Sequence, residues 1–298
     1  MELIENLWIK NKTETFEPYK FKNYITFKDE SLKNKNNTLD DIEKFIQLFL
    51  DYLDEELKQL KDMNDSQKYI NINIDTNKLR SGNGNDNIKN IGATYLKIYS
   101  EESIISKLFF GLMKISCECL TCKYNKTYDE KFKFISFSLN DILNNDNNTI
   151  SLDDCFKISF ENEIYNEIKD CYCDKCKKVT KCKIKSQIFQ LPNILIIILK
   201  RDKDSIVDVE LKYSDKIRIK QLNNNNNKSE FDYDLYGVTI CINNSELKPT
   251  FIASCKNYKN NKWYIYEDRE YKEVNDFQKE VLDYKFPYVL FYKKLNDS

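Results

Sequence analysis

The chain has 298 residues, of which 41% are hydrophobic and 13% aromatic, and its 47 basic and 48 acidic side chains leave a formal net charge of −1. A chain of this length buries roughly 75% of its unfolded surface, in one large domain or two small ones, and its balanced charge excludes a general attraction to nucleic acid or anionic membranes. Nearly all the basic residues are Lys, with Arg only at Arg80, Arg201, Arg218 and Arg269, so the bidentate forks of a phosphate-binding groove are missing.

Gly is scarce, and the only Gly-x-Gly (Gly82, Gly84) sits in an Asn/Asp-rich loop, which argues against a nucleotide cradle. The opening Met1-Glu-Leu-Ile-Glu-Asn has no basic segment followed by an apolar one, so no secretory signal is expected. The longest apolar run, Ile194–Leu199, is too short to span a bilayer. A cytoplasmic or nuclear location is therefore expected. In such a reducing compartment the ten cysteines would bind metal more readily than they would pair.

In chain order, residues 38–62 carry the clearest helix. Thr38 can cap it with Asp41 three positions on, and Ile42, Phe45, Ile46, Phe49, Leu50, Leu53, Leu57 and Leu60 recur at helical spacing. Its apolar stripe reads as core, leaving only the polar face for function. Residues 62–90 read as loop around a short strand, Tyr69–Ile74, and a second helix is predicted from Glu101 to about Met113. Phe132–Leu139 alternates apolar and polar residues as a half-buried strand does, and Asn144–Asn148 is a turn. Lys183–Phe189 and the doubly apolar run Leu191–Leu199 come next, then an Asn223–Asn227 loop. Four strand candidates complete the chain: Leu235–Ile242, Thr250–Lys256, Trp263–Tyr266 and Tyr288–Tyr292. Helices first and consecutive strands last predict an α+β fold with an antiparallel sheet.

Two Cys-x-x-Cys pairs, Cys119/Cys122 and Cys173/Cys176, are separated by 50 residues. Each pair can form a tight turn with both sulfurs on one side, so that four thiolates surround one zinc ion at about 2.3 Å. A closed four-sulfur shell leaves no position for water, so such a metal is structural. The alternatives are unligated buried thiols or a redox dithiol. Cys117 and Cys171, two residues ahead of each pair, are competing ligand candidates. Cys155, Cys182, Cys241 and Cys255 read as small core hydrophobes.

The order of these motifs resembles the ubiquitin-specific protease (peptidase C19) family of deubiquitinases. The segment from Asp40-Asp-Ile-Glu-Lys-Phe to Leu57 is similar to the family's Gln-Asp-Ala-x-Glu-Phe-Leu helix, and Ser103-Ile-Ile-Ser-Lys-Leu-Phe-Phe-Gly-Leu to the entry into its zinc fingers. Tyr172-Cys-Asp-Lys-Cys-Lys-Lys and the run from Leu191-Pro-Asn-Ile to Arg201 resemble its finger-to-palm passage. Leu235-Tyr-Gly-Val, Asn261-Lys-Trp-Tyr-Ile-Tyr-Glu-Asp and Tyr288-Val-Leu-Phe-Tyr resemble its last strands. The resemblance implies a papain-like fold of one domain over 1–298: a truncated helical thumb over 1–63, zinc fingers over 114–190 and a palm over 191–298. It also implies ubiquitin, a ubiquitin-like protein or a protein complex as partner, with Asp41 at a carboxylate position near the ubiquitin tail and Lys44 where the family has Glu.

The departures fall on the catalytic positions. The family's Asn-x-x-Asn-Thr-Cys nucleophile segment has no counterpart here, Thr250 stands where its base His belongs, and the third triad position falls on Glu267 with Asp268 behind it. A thiol attacks an isopeptide carbonyl as thiolate and needs a neighbouring base to take its proton, which a Thr hydroxyl is not. An inactive ubiquitin-binding or scaffold module is expected. The alternative is an active cysteine deubiquitinase whose nucleophile segment is encoded upstream. A zinc-ribbon nucleic-acid binder would need clustered Arg, which is absent.

Overall fold

The computed structural model describes residues 19–28, 39–58, 103–142, 149–161, 167–200, 209–222, 228–241, 251–267, 270–284 and 286–295. Two helices, α1 (Tyr19–Lys28) and α2 (Leu39–Glu56), are followed by a short α3 (Ile104–Phe109) and the first strands, β1 (Gly111–Cys119), β2 (Asn125–Phe132) and β3 (Ile135–Ser138). Short helices α4 (Leu139–Ile142) and α5 (Leu152–Phe156) flank β4 (Thr149–Ser151). Strands β5 (Glu167–Cys173), β6 (Lys178–Gln190), β7 (Ile194–Lys200), β8 (Glu210–Lys212), β9 (Lys216–Leu222) and β10 (Lys228–Cys241) come next. The chain closes with β11 (Phe251–Lys256), β12 (Trp263–Glu267), β13 (Glu270–Glu273) and β14 (Pro287–Lys294).

These strands form two main sheets. The smaller has the order β2-β1-β6-β5 and is antiparallel throughout. The larger has the order β13-β12-β11-β10-β14-β7-β3, with β9 paired to the first half of the long β10. It is antiparallel except at its edge, where β3 runs parallel to β7, and β4 and β8 form a separate parallel pair. The α+β class holds, and the antiparallel expectation gains these two parallel exceptions.

Strand β7 explains the architecture of the large sheet. Its run Ile194-Leu-Ile-Ile-Ile-Leu-Lys200 sends Leu195, Ile197 and Leu199 into one core and Ile196 and Ile198 into another. Successive strand residues point to opposite faces, so an uninterrupted apolar run demands cover on both sides. The first face packs on α5, β9 and β10, with Leu152, Ile219, Tyr233 and Leu235 buried there. The second face is covered by α2 and α3, through Leu50 and Ile105 with Ile42, Ile46 and Leu53 partly buried beside them. Burial of an aliphatic side chain contributes about 1.5–3 kcal/mol. The polar ties of α2 (Glu43 Oε2 to Lys200 Nζ at 2.8 Å, the Asp51–Lys133 ion pair and Ser103 Oγ donating to Asp54 Oδ1 at 2.5 Å) fix its rotation more than its stability. Phe45 lies off the seam, exposed and stacked on Phe49 at 5.8 Å, and Leu57 is also exposed.

Several expectations change at element ends. The second helix runs only over Ile104–Phe109, with Ser103 as N-cap of a capping box, and Gly111–Met113 opens β1 instead. A Cβ at Gly111 would meet the Phe132 ring at 2.2 Å and the Gln190 carbonyl oxygen at 2.6 Å, so strand pairing on both sides overrides the helical pattern there. In Phe132–Leu139 the alternation is correct, with Ile135, Phe137 and Leu139 buried, but Lys133 and Phe134 form a bend between the two sheets. Leu191-Pro-Asn193 lies outside the strand, and Pro192 O instead accepts the buried Tyr233 hydroxyl. Strands β1, β4, β5, β8, β9 and β13 went unforeseen, although β1 from Met113 to Cys119 and β9 from Lys216 to Lys220 alternate apolar and polar residues. The predicted Thr38 cap, Leu60 and the Tyr69–Ile74 strand lie outside the described residues. Among the described residues, no helix is long and apolar enough to cross a membrane.

Ser254, fully buried on β11, has no hydrogen-bond partner for its hydroxyl among the described residues. An unsatisfied buried hydroxyl costs about 1–3 kcal/mol. Ser254→Ala is therefore expected to leave stability unchanged or raise it by about 1 kcal/mol in urea unfolding. Ile198→Ala, which empties a fully buried β7 position, should lower it by about 2–5 kcal/mol.

Candidate metal centre

The small sheet has almost no hydrocarbon core at its far end. Tyr124, Tyr128, Ile168, Tyr172 and Val179 are all exposed, and the buried cluster there consists of Cys119, Cys173 and Cys182 with Cys122, Cys171 and Cys176 partly buried around them. Two hairpins, β1–β2 and β5–β6, lie side by side with their sulfur-bearing turns at the same end.

The two turns are built alike. Cys119 ends β1, Lys123 takes a left-handed φ of 59°, and the Lys123 N–H donates to Cys119 O at 2.9 Å. Cys173 ends β5, Lys177 takes a φ of 56°, and the Lys177 N–H donates to Cys173 O at 2.8 Å. In the second turn the Cys176 N–H also points at Cys173 Sγ, 3.4 Å away. The repeated Cys-x-x-Cys-Lys folds each segment back so that both of its sulfurs face the other pair. Lys126 of β2 reaches across to Asp174 of the second turn at 2.7 Å and links the hairpins by charge as well.

The four sulfurs of Cys119, Cys122, Cys173 and Cys176 all lie within 4.8 Å of one another. Cys119 and Cys176 are 3.9 Å apart and Cys122 and Cys173 3.6 Å. A tetrahedron with arms of about 2.3 Å has edges of about 3.8 Å, so the sulfur spacing fits a single tetrahedral ion. The proton balance fits as well. The Thr180 hydroxyl, aided by the backbone N–H groups of Cys122 and Thr121, draws the Cys119 thiol down to about 5. Crowding by the Cys122 sulfur first, then burial and the sulfurs of Cys173 and Cys119, pushes Cys176 up to about 12. Four thiolates cannot ionise together at this spacing without a cation between them, and a divalent ion supplies that charge. This cluster can hold a metal ion.

Of the two competing ligands, Cys117 and Cys171 are half-buried and stand outside the four-sulfur group. Cys155 and Cys182 are buried as expected, whereas Cys255 is exposed and is not a core residue; the Cys241 side chain lies outside the described residues. Spacing alone did not single out Thr180, whose hydroxyl is 3.3 Å from Cys119 Sγ, or Lys123 and Lys177. The doubled Cys-x-x-Cys-Lys was the available signal for the two lysines.

The residues at the positions that the family resemblance assigns to catalysis are placed only in part. Glu267 ends β12 and is exposed, while Thr250 and Asp268 lie outside the described residues. Asp41 sits in the first turn of α2, its side chain outside the described residues, and Lys44 is exposed one turn on.

A mixed large sheet, packed on helices and joined through residues 191–193, between β6 and β7, to a four-cysteine sheet, defines an α+β frame. A family model described as ubiquitin carboxyl-terminal hydrolase matches residues 1–292, and the chain belongs to that family. It is 25% identical over 298 residues to ubiquitin carboxyl-terminal hydrolase Usp2 of Drosophila melanogaster, covering 98% of this chain and 29% of that protein. It is 23% identical to ubiquitin carboxyl-terminal hydrolase 2 of Gallus gallus, covering 100% of this chain and 79% of the relative. Against the Drosophila protein and ubiquitin carboxyl-terminal hydrolase 9 of Saccharomyces cerevisiae, at 29% and 26% coverage, the chain spans less than a third of the relative's length. Among solved structures, the SAGA Ubp8/Sgf11/Sus1/Sgf73 DUB module bound to ubiquitin aldehyde is similar in fold at a TM-score of 0.50 and 20% identity, over 66% of this chain and 44% of that one. A yeast SAGA DUB module matches at 0.50 and 22%, over 66% and 43%.

Purified under reducing conditions, the chain is expected to carry one divalent metal per molecule by elemental analysis. The metal should leave as pH falls, because protons compete for the same sulfurs. Cys122→Ser or Cys176→Ser should abolish stoichiometric retention. At the left-handed positions, Lys177→Gly should be tolerated, while Lys177→Val should cost about 1–2 kcal/mol in unfolding and weaken metal retention.

Proposed function

We propose that this chain is a catalytically silent member of the ubiquitin carboxyl-terminal hydrolase family, a zinc-stabilised module that binds ubiquitin, a ubiquitin-like protein or a protein complex. The observation that carries this reading is that the 298 residues contain no His, with Thr250 at the position matching the family's base. That position falls inside the matched stretch, immediately before β11, so the reading does not depend on where the chain begins.

The chemistry is restrictive. Cleaving an isopeptide bond with a thiol requires a group that accepts the thiol proton near neutral pH and returns it to the leaving amine. Losing a triad member from a comparable hydrolase leaves only about 10³–10⁴-fold over water. Glu267 would occupy the place of the residue that orients the base, and with Thr250 there it has no imidazole to orient.

Zinc is the metal that an all-cysteine tetrahedral set favours. Cys119, Cys122, Cys173 and Cys176 would hold it, and its contribution is to lock the two hairpins of the small sheet. In this reading the small sheet corresponds to the fingers, the large sheet to the palm, and α1–α2 to the remnant of a thumb. Binding between fingers and palm is supported by retention of both sheets and by likeness to a DUB module that holds ubiquitin aldehyde. Asp41 on α2 is the candidate contact for a basic tail, and the exposed Lys44 beside it works against that contact by like charge.

A ubiquitin vinyl-sulfone or propargylamide probe is expected to leave the zinc-replete chain unlabelled, and a ubiquitin–fluorophore amide to be cleaved no faster than in buffer. Labelling or cleavage would replace this reading with an active deubiquitinase. Calorimetric titration with ubiquitin then separates a ubiquitin binder from a scaffold, and Lys44→Glu should tighten binding in the first case only.

A further inference from the structure

Beside the four-sulfur set, the small sheet carries three more cysteines. Of these, Cys117 is paired across β1–β6 with Ile184, and Cys171 across β5–β6 with Thr180. Cys182 is different: across β1–β6 it faces Cys119, itself one of the four, while on its other side the Cys171 sulfur is also within reach.

The pairing geometry is specific. Leu120 N–H donates to Lys181 O at 2.9 Å, which makes that pair a hydrogen-bonded one. Pairs alternate along an antiparallel ladder, so the neighbouring Cys119–Cys182 pair is of the non-hydrogen-bonded kind, with α-carbons about 4.5 Å apart and side chains close together. A disulfide spans α-carbon separations of about 4.4–6.8 Å. The two sulfurs share a neighbour as well: Thr180 Oγ1 is 3.3 Å from Cys119 Sγ and 3.6 Å from Cys182 Sγ. Although 2% and 3% exposed, both residues line an open groove of about 370 Å³ walled by Tyr124, Tyr128 and Tyr172, which gives a small oxidant a route to them.

We propose that Cys119 and Cys182 form an oxidative modification site, at which a hydroperoxide converts the cross-strand thiol pair to a disulfide and so withdraws one sulfur from the metal set. One thiol sulfur attacks the peroxide O–O bond, taking one oxygen as sulfenic acid and releasing water. The facing thiol then attacks the sulfenic sulfur; the S–S bond forms and the hydroxyl leaves with the thiol proton as a second water. Two thiols lose two electrons and two protons, and one hydrogen peroxide becomes two waters. The site left behind has three sulfurs, an incomplete shell for a structural ion. The disulfide stands on strand geometry alone, and only the metal-release half rests on the zinc reading above.

The test uses the full chain, reduced anaerobically, in zinc-loaded and metal-free forms, treated with one equivalent of hydrogen peroxide. Non-reducing peptide mapping by mass spectrometry is expected to find Cys119 linked to Cys182 in the metal-free form, with two thiols lost. In the zinc-loaded form the same link should form together with release of one zinc to a chromogenic chelator, and Cys182→Ser should slow that release several-fold. Links confined to other pairs, whether Cys119–Cys122 and Cys173–Cys176 or Cys171–Cys182, would overturn the proposal, as would an unchanged release rate in Cys182→Ser. If Cys182→Ser does not fold, Cys182→Ala and the wild-type peptide map decide the matter. A zinc-free preparation would defeat the zinc reading while the metal-free map still judged the disulfide.

Discussion

The structure depends on a clamp of sulfur atoms where other small sheets have hydrocarbon. The far end of β1–β2 and β5–β6 exposes its tyrosines and aliphatics to solvent and buries cysteines instead. A sheet of that kind does not hold itself together by area burial, since few apolar atoms leave water there. Four thiols within 4.8 Å of one another can hold a metal ion. Metal–sulfur bonding there would substitute for a core, as in small domains that fold only when their metal binds.

That clamp is mechanically continuous with the rest of the molecule. Strand β6 carries Thr180 and Cys182 at one end and leads through Leu191 into β7 at the other. At the junction the Leu191 N–H donates to the Gln221 side chain at 2.8 Å, and the Tyr233 hydroxyl donates to Pro192 O. Strand β7 in turn divides its side chains between two cores, one roofed by α2. Rigid packing therefore runs from the sulfur clamp to the helix that carries Asp41 and Lys44. Glu267, the described residue among the positions that the family resemblance assigns to catalysis, stands outside both cores. It is the exposed end of β12, whose buried residue, Ile265, lies two positions earlier.

Redox sensitivity and metal stability meet at Thr180. Its hydroxyl favours the Cys119 thiolate that a metal would need, and it also lies within reach of the thiol of Cys182. One polar side chain, 8% exposed, thus sits between the reduced, metal-bound arrangement and the oxidised, cross-linked one.

Features set by local spacing and chemical identity were legible in the amino-acid order alone. The i, i+4, i+8, i+11 stripe of Ile42, Ile46, Leu50 and Leu53 marked the core-facing seam of α2, the unbroken run after Pro192 marked a strand buried on both faces, and the two Cys-x-x-Cys pairs marked the four-sulfur cluster that can hold a metal ion. The absence of His from these 298 residues was visible there too. Features that need partners distant in the chain emerged only once it was folded. Strand β2 is polar and β5 lacks a strong period-two signal, so pairing with neighbours made them strands. Gly111 left its helix because Phe132 and Gln190 crowd it from two other strands. Cys182 reads in sequence as an ordinary buried thiol, and it becomes the partner of Cys119 only through a ladder joining residues 63 positions apart.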